Sequence, residues 1–198
     1  MSKKQADIRN WFNAGDSREL ELENKEHCND NDTEKPKTRE ILVFTDGSTL
    51  NNGSVNARGG VGVFFGNNDS RNISKKIIGK KVTNNICELM AVILAIQKVI
   101  ETEDTTSKIR IVIMTDSEYI VKSVLKYSVN WKKNGYKNKQ GKPIKNMELM
   151  KKVIELTESY NVKLHHCLAH KSEPKDSKKR KIWYGNKMAD SLARQGSK

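Results

Sequence analysis

Apolar residues are sparse and unpatterned up to residue 40, and from Ile41 onward they fall into regular runs. Ile41-Leu-Val-Phe-Thr45 reads as a short buried strand, and Gly60-Val-Gly-Val-Phe-Phe65 as its hairpin partner. Ile73 to Val82 suggests a third, more exposed strand. Leu89, Met90, Ile93, Ile96, Val99 and Ile100 recur at helical spacing, so the chain from Ile86 to Glu101 should be a helix. Ile109-Arg-Ile-Val-Ile-Met114 is a fourth strand, with a helix expected from Ser117 to about Lys126. Residues 127–146 are basic and broken by Gly135, Gly141 and Pro143, as in a protruding loop or short helix. Met147 to Tyr160 is amphipathic, Val162 to Leu168 is a fifth strand, and a last helix is expected from near Asn186 to Gly196, a natural C′ glycine. Three antiparallel-type strands, then helix, strand, helices and strand, predict an α/β domain: a mixed five-stranded sheet with helices packed on it.

The 198 residues suffice for one core plus a tail. Hydrophobic content of 35% is low, which assigns residues 13–40, polar and acidic, to a disordered linker ahead of a domain spanning 41–198. No run approaches the ~20 apolar residues of a membrane span, and Met1 onward lacks an apolar signal-peptide core, so a soluble intracellular protein is expected. Cys28, Cys87 and Cys167 form neither a disulfide framework nor a zinc pattern. The net charge of +13 is uneven: residues 13–40 are net −4, and residues 41–198 carry +15. A solvated surface accounts for part of this, but such concentration favours a polyanionic partner, nucleic acid first.

Four acids stand out, and each has a local explanation. Asp46-Gly47 is a turn pair, Glu88 fits a capping box three residues after Asn85, and Asp116 precedes a helix start, where it favours the dipole. Asp190 falls in the expected first turn or so of the last helix. Together they imply more. Asp46 and Asp116 each follow an apolar strand, the place where open α/β sheets bind ligands, and Glu88 begins a helix that crosses the sheet. Clustered carboxylates raise one another's pKa unless a cation neutralises them. Magnesium favours such oxygen ligands, and two ions can stabilise both the attacking and the leaving oxygen of a phosphodiester displacement.

Phe44-Thr-Asp-Gly-Ser48, Thr83-Asn-Asn-Ile-Cys-Glu-Leu-Met-Ala91 and Met114-Thr-Asp-Ser117 resemble the first three active-site motifs of type 1 ribonuclease H. Trp131-Lys-Lys-Asn-Gly-Tyr-Lys137 and Gly141-Lys-Pro-Ile-Lys-Asn146 are similar to the basic protrusion of that family, and Asn186-Lys-Met-Ala-Asp-Ser-Leu-Ala193 to its closing helix. The resemblance covers residues 41–196. It implies the ribonuclease H-like fold and two-metal hydrolysis of the RNA strand of RNA–DNA hybrids. Asp46, Glu88, Asp116 and Asp190 would be the ligands of two Mg2+ ions, with Mn2+ able to substitute. His170 matches the mobile-loop histidine that assists proton transfer or product release. Asn52, Asn84 and Asn85 match positions that read RNA 2′-hydroxyls, although Asn85 also suits a helix cap. Tyr127, Trp131, Lys132 and Lys133 would follow the DNA strand, and Lys81, Thr83 and Asn146 resemble its phosphate pocket.

The resemblance has departures. Tyr127 and Tyr136 stand where tryptophan is common, and the run from Lys171 to Trp183 lengthens the loop after His170. The hybrid-binding domain that many eukaryotic members place ahead of the nuclease is not expected within residues 1–40. In its place, Gln5, Ile8, Trp11 and Phe12 resemble the motif with which proteins dock on PCNA-type sliding clamps. The expected protein is a monomeric nuclease at a site of DNA replication, the nucleus or otherwise the cytoplasm, tethered by residues 1–12. A non-catalytic hybrid-binding clamp adaptor, or another nuclease of the same fold, are the competing readings.

Overall fold

A computed structural model describes residues 38–52, 54–79, 81–104, 109–168 and 172–198. The expected clamp motif (1–12), nearly all of the acidic linker and His170 lie outside these residues. Five strands form one sheet, β1 (Arg39–Leu50), β2 (Arg58–Phe64), β3 (Ile73–Ile77), β4 (Ile109–Thr115) and β5 (Val162–His166), in the order β3-β2-β1-β4-β5. β3, β2 and β1 pair antiparallel, while β1, β4 and β5 are parallel.

β1 from Ile41 to Phe44 and β4 from Ile111 to Met114 read as unbroken apolar runs because both faces of the sheet are covered there. Ile41, Val43, Ile111 and Ile113 point into a core shared with α1 (Asn84–Thr102) and with α4 (Met147–Ser159). The alternate residues Phe44, Val112 and Met114 point the other way, onto α5 (Ser177–Ser197). Two glycines let the layers approach. A Cβ on Gly62 would stand 2.0 Å from the Ala189 carbonyl oxygen, so α5 lies directly on β2. A Cβ on Gly47 would stand 2.2 Å from the Glu88 nitrogen, so the start of α1 is pressed onto β1.

Several elements differ from their expected bounds. β1 runs on to Leu50, so Asp46 lies inside the strand rather than at its end. β3 stops at Ile77, and Ile78 is 88% exposed. The helix expected from Ser117 to Lys126 is longer and interrupted: α2 (Glu118–Lys122) leads into a π-helical segment (Ser123–Tyr127) and then α3 (Ser128–Lys133). α5 starts at Ser177 and not near Asn186, with Asp176 as its N-cap, its side chain accepting from the Lys179 amide at 2.8 Å. Part of the long loop anticipated after His170 is therefore helix, and Asp190 sits well inside α5 rather than in its first turn. α5 also continues through Gly196 to Ser197, so that glycine is not its terminator.

Candidate active site

The β1–β4 ladder ends at the pair Thr45–Thr115. Beyond it β1 continues alongside β2, with Asp46 opposite Gly62, while β4 gives way to Asp116 and the N-cap of α2. The next position on each strand is thus an acid at the point where pairing stops, the carboxyl edge at which such sheets bind ligands. Glu88 arrives from the first turns of α1, held against β1 by the Gly47 contact. Asp190 arrives from α5 through the close packing over Gly62.

These placements bring the four acids into mutual influence. Asp46 is only 8% exposed, and its pKa is pushed up to about 8, first by burial and then by the charges of Asp116, Asp190 and Glu88. Burial also raises Glu88, reinforced by Asp116 and opposed by two hydrogen bonds. In those bonds the Asn84 amide donates to Glu88 Oε1 at 2.8 Å, and the Ser117 hydroxyl donates to Oε2. The Asn186 amide donates to Asp116 Oδ2 at 3.3 Å, and the Asn186 carbonyl accepts from the Cys167 thiol at 3.3 Å. Asp190 is engaged by Arg194, four residues along the helix, at 2.8 Å.

The donors are all carboxylate oxygens, and a buried acid that resists ionisation beside three others is an environment in which a hard divalent cation replaces a proton. Among the described residues no three acidic, histidine or cysteine side chains are arranged to enclose one ion. The hydrogen bonds explain this, since Glu88 is turned toward Ser117 and Asn84, and Asp190 toward Arg194. The donor set fits a divalent cation, with those two carboxylates needing to turn inward.

The capping-box reading of Glu88 does not hold: Thr83 caps α1, its hydroxyl accepting from the Ile86 amide at 3.4 Å, and Glu88 lies a turn deeper. Asn85 is exposed and is not the cap; Asn52 and Lys81 are exposed as well. Asn146 adopts a left-handed conformation (φ 54°) just ahead of α4, and the carbonyl of the preceding Lys145 accepts from the Tyr119 hydroxyl at 3.2 Å. Tyr127 and Trp131 form a tilted ring pair 5.6 Å apart across the junction of the π-helical segment and α3. Tyr127 is 47% exposed, Trp131 is half-buried against the main core, and Lys132 is paired with Glu158 of α4.

Sequence reasoning gave no role to Ser117, Asn186 or Arg194. A signal was present: Asn186 and Arg194 lie four residues before and after Asp190, hence on the same helix face. His166 also borders the site, its Nε2 lying 3.2 Å from the backbone carbonyl of Asp116.

The RNase H family model matches residues 38–198. A ribonuclease H from Schizosaccharomyces pombe is 39% identical over 79% of this chain and 52% of its own length. A ribonuclease H from Pseudoalteromonas atlantica is 32% identical over 69% of this chain and 82% of its own length. The chain spans about half the length of the eukaryotic relatives it matches. The crystal structure of LC9-RNase H1, described as a type 1 RNase H with the type 2 active-site motif, superposes with a TM-score of 0.60 at 25% identity, covering 81% of this chain and 73% of that one.

Proposed function

Because this chain belongs to the ribonuclease H family, we propose that it is an endoribonuclease that hydrolyses the RNA strand of RNA–DNA hybrids, leaving 5′-phosphate and 3′-hydroxyl ends. The observation that carries this reading is the buried carboxyl of Asp46 amid Glu88, Asp116 and Asp190 where the parallel ladder ends. These acids would hold two divalent cations, Mg2+ with Mn2+ able to replace it. When bound, the cations offset the carboxylate charge and polarise the scissile phosphate.

The chain's own residues set the rest. Asn84 and Ser117 hold both Glu88 oxygens, and Asn186 holds one oxygen of Asp116. With its amide engaged on Glu88, Asn84 keeps a carbonyl oxygen to accept from an RNA 2′-hydroxyl, and the exposed Asn52 and Asn85 supply further donors and acceptors. The DNA strand would lie along Tyr127, Trp131, Lys132 and Lys133, with a backbone phosphate near Lys81, Thr83 and Asn146. His170, which follows β5, would serve proton transfer or product release.

Residues 5–12, through Gln5, Ile8, Trp11 and Phe12, would tether the protein as a monomer to a PCNA-type clamp, with residues 13–40 as an acidic leash and residues 41–198 as the nuclease. Such tethering raises the local concentration of hybrid at replication sites, in the nucleus or, in a cell without one, the cytoplasm, where primers and R-loops are removed. The test is an assay of a labelled RNA–DNA hybrid against duplex DNA and duplex RNA, with Mg2+ and with chelator. Cleavage confined to the hybrid RNA and lost with chelator is the expected result, and no cleavage, or equal cleavage of all three, overturns it. Calorimetry of residues 1–12 with the host's clamp tests the tether separately.

A further inference from the structure

We infer that the first turns of α5 form a second nucleic-acid surface, binding the phosphate backbone through Lys175, Lys178 and Lys179 on a part of the fold separate from the Tyr127–Lys133 region. The inference does not depend on which strand is cut or whether any is.

Residues 175–181 read Lys-Asp-Ser-Lys-Lys-Arg-Lys, five cations and one acid, and all seven are exposed. The acid, Asp176, is consumed as the helix cap. The first turn of α5 contains no other acid, so consecutive cations occupy the positive end of the helix dipole, where folding disfavours them. Intramolecular pairing accounts for some of these charges: Arg180 Nε lies 3.0 Å from Glu173 Oε1 and also donates to the Pro174 carbonyl. The sequence otherwise costs helix stability, and the compensation it is built for is an anionic partner outside the chain.

The placement supports this. Ile182 packs against the cluster built on Phe44, Val112 and Met114, and Tyr184 packs edge-on to Phe64 at 6.1 Å while its hydroxyl bonds Asn67. Before Ile182 the helix carries no apolar side chain, so Lys178 and Lys179 are displayed on a rigid element rather than a loop. Trp183 adds an aromatic face beside the cations, with Lys187 Nζ 4.8 Å above its ring. Rigid cations alongside an aromatic suit a sequence-independent phosphate backbone. This face belongs to the α5 side of the sheet, whereas Lys132 of α3 is paired to α4 on the other side. A long duplex, or a strand leaving the site, would be gripped on both.

The test compares wild type with Lys175→Ala, Lys178→Ala, Lys179→Ala combined, in chelator, by anisotropy of a labelled hybrid and of a labelled DNA duplex of equal length across a salt series. Each phosphate contact contributes about 0.9 to the slope of log K against log salt on duplex DNA. The triple variant should lower that slope by roughly 2 to 3 and weaken binding about tenfold or more at moderate salt. Its thermal midpoint should equal or exceed that of wild type, because alanine relieves the dipole conflict. At saturating hybrid kcat should be unchanged and KM raised. An unchanged slope with unchanged affinity overturns the proposal, and so does a weaker binder that is also less stable. If cleavage fails in every protein while the slope still falls, this surface stands and the catalytic reading does not. If cleavage is intact and the slope unchanged, the reverse holds.

Discussion

The side-chain amide of Asn186 bridges the Cys167 thiol and the Asp116 carboxylate, 3.3 Å from each. Both Asn186 and Cys167 are buried, at 5% exposure, and burial together with Asp116 and Asp46 pushes the thiol up to about 12, so Cys167 remains a neutral donor. The thiol thereby fixes which end of the amide faces the acid. Asn186 is a positioning residue for Asp116.

Asn186→Ala should remove the partner of the buried Cys167 thiol and of one oxygen of the part-buried Asp116, at a cost on the order of 1–2 kcal/mol. The half-saturating cation concentration for cleavage should rise several-fold, and calorimetric cation affinity should fall with it. A loss of thermal stability with the cation requirement unchanged would reduce Asn186 to packing alone.

Asp46 makes metal-free stability depend on pH. Its folded pKa of about 8 lies above the ordinary value of 3.8, so the folded protein holds a proton that the unfolded chain releases between those values. Stability from this group is fully present below about pH 4 and is lost as pH rises through about 8. In chelator, Asp46→Asn should match wild type near pH 4 and exceed it at pH 8 by roughly 5 °C, the shift that about 2 kcal/mol produces in a domain of this size. Divalent cation should raise the wild-type midpoint and not that of the variant. A midpoint difference independent of pH would contradict the buried cluster.

Gly47→Ala tests the seating of α1. Its Cβ would stand 2.2 Å from the Glu88 nitrogen and 2.5 Å from the Cys87 carbonyl carbon, both backbone atoms that cannot rotate away. The helix start must shift, at a cost of about 2–4 kcal/mol. Cleavage should fall further than stability explains, because Glu88 moves with the helix. Unaltered melting and turnover would show the contact to be slack.

On the other face, Tyr127→Ala with Lys133→Ala should raise KM for hybrid and lower the salt slope by about 0.9, with kcat little changed. Lys132→Ala should do less, since that ammonium already has Glu158 as its partner. Equal effects from Lys132 and Lys133 would mean that the Glu158 pair opens when substrate binds.

The strand that carries Asp46 was legible because Ile41 to Thr45 is apolar on both faces, and both faces are covered. The meeting of Asp46 with Asp116 followed from two apolar runs each ending in an acid. What local pattern concealed was tertiary. Lys178 to Lys181 argue against a helix N-terminus and have no apolar period, so α5 was expected to start only where Ala189 and Ala193 reveal one. Ile182 and Tyr184 anchor the added turns. Thr83 took the cap that Asn85 also suited, because α1 begins at Asn84, two residues ahead of its first apolar residue, Ile86. Ser117 and Asn186 became site residues only through contacts 29 and 70 residues away in the chain.

The π-helical segment from Ser123 to Tyr127 counts as one surplus residue spliced into an otherwise α-helical rod. Every side chain beyond it is turned by about 100° relative to an uninterrupted helix. That rotation sets Trp131 inward against the main core while Tyr127 and Val129 face outward. The bearing of the aromatic pair is therefore a matter of residue count rather than of local contacts. Deleting any single residue between Ser123 and Tyr127 would restore a uniform helix and swing the indole out of the core, even though no atom of Trp131 had been changed.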